Sequence, residues 1–208
     1  MELYETIQKR MTLRDFSDKP IADETMQKII SASLLAPSNN HMRDWHFVLL
    51  NDKSRREEII LQTIKPITRK GAIGIVNRWQ MTDPIQRDVY IDAIPKQISM
   101  LLNCACLVIP CYRQEPNILK PKSLSDLNGF ASIWLAIENL LLAAAAEGIF
   151  GVTRIPFEAE RQKVKEFCQI PAVYDIPCLL ALGYPAQDAK RPVQVQVNPV
   201  ERIHRDTW

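Results

Sequence analysis

The stretch from Gly129 to Ala146 is the segment around which the rest of this chain must be arranged. It is long and mostly apolar, yet it carries Glu138 and Asn139 at its centre and ends at Glu147-Gly148. A membrane-spanning helix would have to dehydrate that carboxylate, at a cost of about 3 kcal/mol or more. The segment therefore reads as a buried core helix over Ser125 to Glu147, with Gly148 as its C-terminal cap. A chain of 208 residues, 47% of them apolar, can bury a full core around such a helix. That length fits one domain over residues 1–208.

The remaining elements follow from periodicity and breakers. Leu3, Ile7 and Met11 are spaced by four and predict a first helix ending near Arg10. Asp23 and Glu24 open a second, with Met26, Ile29, Ile30, Ser33 and Leu34 on one face and Pro37 as its stop. Trp45 to Leu50 reads as a strand, and Asn51-Asp52 can cap a helix from Lys53 to about Gln62. Between Lys65 and Gln97, Pro66, Gly71, Gly74, Pro84 and Pro95 interrupt any long period. Short helices and loops are expected there, either as a cover over a pocket or as an ordinary connection. Ala105 to Arg113 is an apolar, β-branched run that Pro110 would confine to a sheet edge or a strand end. Ile149 to Ile155 reads as a short strand, Glu158 to Cys168 as a helix and Pro177 to Gly183 as a buried strand. The tail from Tyr184 to Trp208, with its Val193-Gln-Val-Gln-Val197 alternation, reads as an extended arm. Strands separated by helices, with few hairpins, predict an α+β or α/β layer fold with a mixed sheet.

Composition removes several function classes. A formal charge of +2, with no long basic run, argues against a nucleic-acid partner. The N-terminus, Met1-Glu2-Leu3-Tyr4-Glu5-Thr6, is acidic and unlike a signal peptide, so a cytoplasmic location is expected, with no membrane partner. The five cysteines contain no Cys-x-x-Cys pair. Cys104 and Cys106 read as alternate positions of a buried strand, and inert thiols are expected rather than metal ligands. Only six glycines are present, with no Gly-x-Gly-x-x-Gly and no Gly-x-x-x-x-Gly-Lys-Ser/Thr, so any phosphate must be gripped by side chains. With only His41, His46 and His204 and no Gly-x-Ser-x-Gly elbow, hydrolase chemistry has little to work with.

Two segments stand out. Arg10-Met11-Thr12-Leu13-Arg14-Asp15-Phe16 places two guanidinium groups and a hydroxyl where they could hold phosphate oxygens, or could simply be a solvated helix end. Ala36-Pro37-Ser38-Asn39-Asn40-His41 is either a helix stop followed by a turn, or an amide- and hydroxyl-rich loop able to read alternating donors and acceptors on a heterocycle.

In order and distance these segments resemble the nitroreductase family of FMN-dependent oxidoreductases. Arg10, Thr12, Arg14 and Phe16 match its opening Arg-Arg-Ser-x-Arg-x-Phe pattern, and Asp18-Lys19-Pro20-Ile21 looks like its continuation. Ala36, Pro37, Ser38, Trp45 and Phe47 agree with its Ala-Pro-Ser-x-x-Asn-x-Gln-Pro-Trp-x-Phe signature. Gly129 to Leu140, Ala143 to Gly148, Leu182-Gly-Tyr-Pro185 and Asn198-Pro-Val-Glu201 are similar to its central helix and its ending. The resemblance implies a three-layer α+β fold and an intertwined homodimer with an extended C-terminal arm. It also implies FMN at the subunit interface and NADH or NADPH as electron donor, with nitroaromatic or quinone-like compounds as small aromatic acceptors. Under it, Arg10, Met11 and Thr12 would hold the FMN phosphate and ribityl chain, and Arg14 would sit near the N1 and O2 edge of the ring and tune its potential. Pro37, Ser38, Asn39, Asn40 and His41 would contact the ring from the other subunit, and Thr153, Arg154 and Ile155 would lie along it. His41, Arg43 and Asp44 depart from the family's Asn, Gln and Pro. Gln196-Val197-Asn198 precedes Pro199 without the usual cation, leaving a phosphate contact either absent or supplied by Arg191. Relatives that dehalogenate aromatic substrates or cleave flavin, and a flavin-binding module without turnover, share these motifs and remain alternatives.

Overall fold

The apolar runs of the sequence become one five-stranded sheet, clothed on both faces by helices, in a computed structural model that describes residues 2–114 and 118–208. In chain order the elements are α1 (Leu3–Lys9), α2 (Asp23–Ser33), β1 (Trp45–Leu50), α3 (Lys53–Thr63), α4 (Arg69–Arg78), α5 (Pro84–Ala93), α6 (Gln97–Asn103) and β2 (Cys106–Arg113). They continue with α7 (Asn128–Ala146), β3 (Phe150–Arg154), α8 (Glu158–Phe167), β4 (Tyr174–Asp175) and β5 (Leu179–Gly183). Met1, the first residue of the N-terminal reading, lies outside the described residues. The chain forms two units, Met1–Pro66 with Lys96–Arg191 and Ile67–Pro95 with Pro192–Trp208.

The first unit holds the sheet, in the order β1-β2-β5-β3 with β4 also paired to β2. Its side chains alternate between two cores, as the period of a strand requires. Cys106, Val108, Tyr112, Leu180 and Leu182 face α2 and α7, whereas Leu107, Ile109, Cys111, Leu179 and Ala181 face α3, α6 and α8. Burial on both faces explains why these strands read as continuous apolar runs. The three-layer α+β expectation stands. All four strand ladders are antiparallel, so the mixed character expected of the sheet reduces to one parallel bridge, Thr12 to Gly151. Long helical connections leave strand direction free, which is why interleaved helices were a weak guide to it.

Pro110 does not confine β2 to an edge. The strand is central, with Pro110 opposite Phe47 of β1. On its other side β2 pairs with β5 through Val108 and with β4 from Tyr112 onward. Pro110 falls in the break between those two ladders, where a residue without an N–H leaves no rung unmade.

Helix α7 starts from a 3-10 turn, Leu124–Leu127, which Ser123 and Asp126 close as a capping box. Gly148 follows its end at φ 74°, the left-handed position that glycine fills most easily. Ser132, Ile133, Ala136, Ile137 and Leu140 bury one side of it. Ser33 Oγ donates to the Ala136 carbonyl at 2.9 Å and Asn139 Nδ2 to the Ala32 carbonyl at 3.4 Å, tying α2 to α7. Among the described residues Leu124–Ala146 is the one helix long and apolar enough to cross a membrane. Its buried side packs on the sheet, and its other side exposes Ala131, Leu135, Glu138 and Ala146.

Cys104 caps the end of α6 rather than lying in the strand with Cys106, but both thiols are buried. Burial pushes Cys104 and Cys168 up to about 11 and Cys106 and Cys111 up to about 12, and raises Cys178 further. A thiolate is therefore disfavoured at every cysteine. In the second unit, α4 and α5 pack through Ala72, Val76, Ile91 and Ile94, with Thr68 and Asp83 capping their N-termini. The segment after Pro192 has no strand, leaves Val193, Val195 and Val197 exposed and contains one 3-10 turn, Pro199–Arg202.

Candidate functional site

Arg10 ends α1 by leaving helical geometry, at φ −53° and ψ 128°, and the chain then runs extended past β3. Leu13 N–H donates to the Gly151 carbonyl at 3.1 Å, and the Leu13 side chain is buried with Ala145 and Phe150. Alternation along an extended chain then turns Thr12 and Arg14 to the opposite side, where both are half-buried. Met11 packs against the Leu13 cluster. Gly151 also lets β3 lie close against β5, since a Cβ there would stand 2.6 Å from the Ala181 carbonyl oxygen. Arg10 is lightly committed: its Nε lies 3.6 Å from Glu138 Oε1, and both side chains are substantially exposed. An ion pair of that length and exposure is worth under about 1 kcal/mol.

A third arginine arrives from far along the chain. Ser17 N–H donates to the Tyr184 carbonyl and Ala186 N–H to the Asp15 carbonyl, so the segment after β5 is stitched back along residues 15–17. It delivers Arg191, whose Nη2 donates to the carbonyls of Gln8 and Lys9 at 3.1 and 2.9 Å. Arg191 thus caps the C-terminal end of α1, the end that Arg10 leaves, where a helix favours positive charge.

The second segment lies elsewhere. Ala36 is buried, Pro37 is exposed, and Asn39–His41 form a 3-10 turn. Asn40, His41 and Arg43 have φ values of 53°, 54° and 46°. Left-handed backbone at three such positions costs on the order of 1 kcal/mol each, so the surroundings must hold the loop. They do: Asn39 N–H donates to Ser132 Oγ at 3.0 Å, Arg43 N–H to Ser38 Oγ at 3.0 Å, and Asn128 Nδ2 to Asn39 Oδ1 at 3.4 Å. The Ser132 hydroxyl in turn donates to the Asn128 carbonyl at 2.7 Å.

Behind this loop is a cavity of about 390 Å³, walled by the start of α7 and the end of β2. Asp44, at its rim, accepts from Arg113 Nε at 2.5 Å and from the Tyr174 hydroxyl at 2.7 Å, and lies 3.4 Å from His46 Nε2. The Arg113 hydrogen bond, helped by Tyr174, holds the Asp44 carboxyl below its ordinary value. Tyr112 lines the cavity and is 1% exposed, and its hydroxyl has no hydrogen-bond partner among the described residues.

The two segments do not meet within one chain. The first reaches α7 at Glu138 and Ala145, the second at Asn128 and Ser132. Ser132 and Glu138 stand about 9 Å apart along the helix and about 120° around it. In the third expected region, Thr153 is half-buried and Ile155 exposed, but Arg154 is committed to the interior. Its Nη1 and Nη2 grip Glu160 at 2.8 and 2.9 Å, and its Nε donates to Gln97 Oε1 at 2.9 Å. The Arg154 side chain is therefore a brace between β3, α8 and α6. A role along a bound ring is left to Thr153, Ile155 and the backbone.

Sequence reasoning missed Ser132 and Asn128, although a Ser and an Asn four residues apart in an apolar helix were a signal. It also missed Tyr112, for which Ile-Pro-Cys-Tyr gave none beyond a buried strand.

The family model described as "Nitroreductase family" matches residues 7–184. A protein of Archaeoglobus fulgidus called a putative NADH dehydrogenase/NAD(P)H nitroreductase is 27% identical over all of this chain and 99% of its own length. The crystal structure of a protein so described from Parabacteroides distasonis superposes with a TM-score of 0.69 at 22% identity, covering 99% of this chain and 98% of its own. A structure of oxidized iodotyrosine deiodinase bound to FMN and 3-iodo-L-tyrosine gives a TM-score of 0.71 at 18% identity, with full coverage of both chains. These likenesses in fold accompany a family match spanning the Arg10 segment, the 37–44 loop, α7 and β5, and on that match the chain belongs to the nitroreductase family.

Proposed function

We propose that this protein is an FMN-dependent oxidoreductase that passes two electrons from NADH or NADPH to nitroaromatic or quinone-like acceptors, working as a homodimer in the cytoplasm. The carrying observation is the convergence of Arg10 and Arg191 on one end of α1, with Thr12 on the adjoining extended segment. The donor set suits a phosphomonoester: guanidinium groups to pair with its oxygens and a hydroxyl to add a neutral bond. Arg10 and Thr12, with the Met11 backbone, would hold the FMN phosphate and ribityl chain, and Arg191 would stand in for the cation missing before Pro199. Arg14 would place positive charge at the polar edge of the ring.

The flavin, when bound, supplies the two-electron chemistry, and the residues' task is to bind, orient and exclude water. Pro37, Ser38, Asn39, Asn40 and His41 are displaced from Arg10 along and around α7, so this reading has the second subunit supply them. Exposed apolar surface supports association: Leu3, Tyr4 and Ile7 on α1, Leu135 on α7, and Val193, Val195 and Val197 on the arm. Five cysteines without a disulfide suit a reducing compartment. The deiodinase and nitroreductase names among relatives support the FMN and NAD(P)H assignments.

Purified protein should be yellow and should bleach anaerobically with NADH or NADPH, and the reduced protein should recolour on adding a nitroaromatic or a quinone. A colourless protein that takes up no FMN, or a colour that persists with both donors while dithionite removes it, would refute the reading. Oxidation by 3-iodo-L-tyrosine but not by nitroaromatics or quinones would replace the acceptor.

A further inference from the structure

Asp44 is the residue by which the 38–44 loop rejoins the sheet. Trp45 N–H donates to the Arg43 carbonyl at 2.8 Å, closing a three-residue turn with Asp44 at its apex, immediately before β1. From there the Asp44 carboxylate reaches two further strands. Its Oδ2 accepts from Arg113 Nε, at the end of β2, at 2.5 Å, and its Oδ1 accepts from the Tyr174 hydroxyl, on β4, at 2.7 Å. Arg113 and Tyr174 are opposite residues of the β2–β4 ladder, and His46 on β1 stands edge-on to the Tyr174 ring with Nε2 3.1 Å from its hydroxyl. One carboxylate thus joins the start of β1 to β2 and β4 by charge-assisted bonds. The family motif has Pro at this position. A proline would stiffen the loop's exit by fixing its own φ, but it would also push the preceding residue into extended backbone. Arg43 is left-handed instead, at φ 46°, as are Asn40 and His41. Asp permits that conformation, and its bonds to Arg113 and Tyr174 supply the rigidity that a pyrrolidine ring would give. The loop's entry is tied separately, to α7 through Ser132 and Asn128.

We propose that Asp44 is a positioning residue of the flavin site, whose clamp on Arg113 and Tyr174 holds the 38–43 loop in the arrangement that sets Ser38 and Asn39 against the ring. The proposal rests on the flavin reading above, because the loop faces a ring only under that reading. Asp44 acts on the ring through the loop, whereas Arg10 acts on the phosphate directly. The Arg113 bond keeps the Asp44 carboxyl below its ordinary value, so the clamp is charged throughout the neutral range. Without it, a loop holding three left-handed residues relaxes toward less strained backbone, and Ser38 and Asn39 move with it. Misplaced donors serve the oxidised and the reduced ring unequally, so the flavin potential moves together with ring affinity.

The test compares the affinity of the full chain for FMN and for riboflavin, which has the ring but no phosphate. Asp44→Ala should weaken both alike, about tenfold, whereas Arg10→Ala should weaken FMN and leave riboflavin unchanged. In FMN-loaded Asp44→Ala the flavin potential should shift by about 30 mV, the two-electron equivalent of a tenfold change in relative affinity for the oxidised and reduced ring. Asp44→Asn, which keeps an acceptor for Tyr174, should restore part of both. Adding Arg113→Ala to Asp44→Ala should do no further harm, as expected of two halves of one device. An Asp44→Ala protein with unchanged riboflavin affinity and potential, or with a loss confined to FMN, overturns the proposal. If Asp44→Ala does not fold, Tyr174→Phe removes one arm of the clamp and should still weaken riboflavin severalfold, and no loss there overturns it equally. Should the protein take up neither flavin, the flavin reading fails first. Amide exchange then decides the clamp alone: Asp44→Ala should speed exchange of the Asn39 and Arg43 N–H groups at least about tenfold while those of β5 keep their protection, and unchanged rates at both positions overturn it.

Discussion

Arg154 and Arg10 both lie in motifs that suggest a cofactor, yet the fold treats them differently. Arg154 is 7% exposed and clamped by Glu160 and Gln97, whereas Arg10 sits half-exposed beside Glu138 at 3.6 Å. Arg56 belongs with Arg154: it is buried and spends its donors on the carbonyls of Leu50, Asn51 and Leu102, locking α3 to the ends of β1 and α6. A guanidinium whose three nitrogens are all engaged by its own chain, unlike Arg191 with its Nη2 alone so engaged, holds the fold together. One that is weakly paired at an element's end is available to a ligand, so the state of its donors separates the two roles better than motif position does.

The sharpest way to break this contrast is to remove each arginine in turn. Arg154→Ala leaves Glu160, whose side chain is only 12% exposed, without its counterion and should cost about 3 kcal/mol of stability, read from the urea midpoint. A loss below about 1 kcal/mol would mean that Arg154 is not a brace. Arg10→Ala should show the reverse profile, with FMN affinity reduced at least tenfold and the flavin-free protein within about 1 kcal/mol of wild type. Matched flavin content and stability changes in the two variants would erase the distinction. Gly151→Ala tests the scaffold beneath Arg10, because the added methyl meets the Ala181 carbonyl oxygen and Leu182 at 2.6 Å. A loss of about 1–3 kcal/mol is expected, together with weaker FMN binding as the Thr12 bridge shifts.

The smallest effect concerns pH. Asp44 has a folded pKa held below its reference value of 3.8, chiefly by Arg113. Its contribution is therefore complete above the unfolded value and is lost as pH falls through the folded one. Asp44→Asn should destabilise near neutrality, and the gap from wild type should close below about pH 4. A gap that is constant between pH 3 and 7 would assign the effect to packing.

Much of this architecture was legible in the chain, for stated reasons. Trp45–Leu50 has strand periodicity flanked by turn residues, Asp52 accepts from Ser54 N–H as a cap should, and Gly148 takes the left-handed position after α7. Those features are local. What escaped was set by distant pairing: the gap that accommodates Pro110, the two-residue strand β4, and the Glu160 and Gln97 side chains that absorb Arg154. The same holds at the site. The Arg10 and Pro37 segments could be read from residue type and order, whereas the cavity beside Tyr112 depends on what α7 and the 38–44 loop leave unfilled.

Co-expression of two damaged chains tests the central claim most directly, that Arg10 and the Pro37–His41 loop serve one flavin from different subunits. Arg10→Ala and a Ser38→Ala, Asn39→Ala double variant should each bind little FMN alone. Random pairing should regenerate one intact site in each mixed dimer, restoring about a quarter of wild-type flavin occupancy. If co-expression restores no more flavin than the two variants bind separately, the site does not cross the interface.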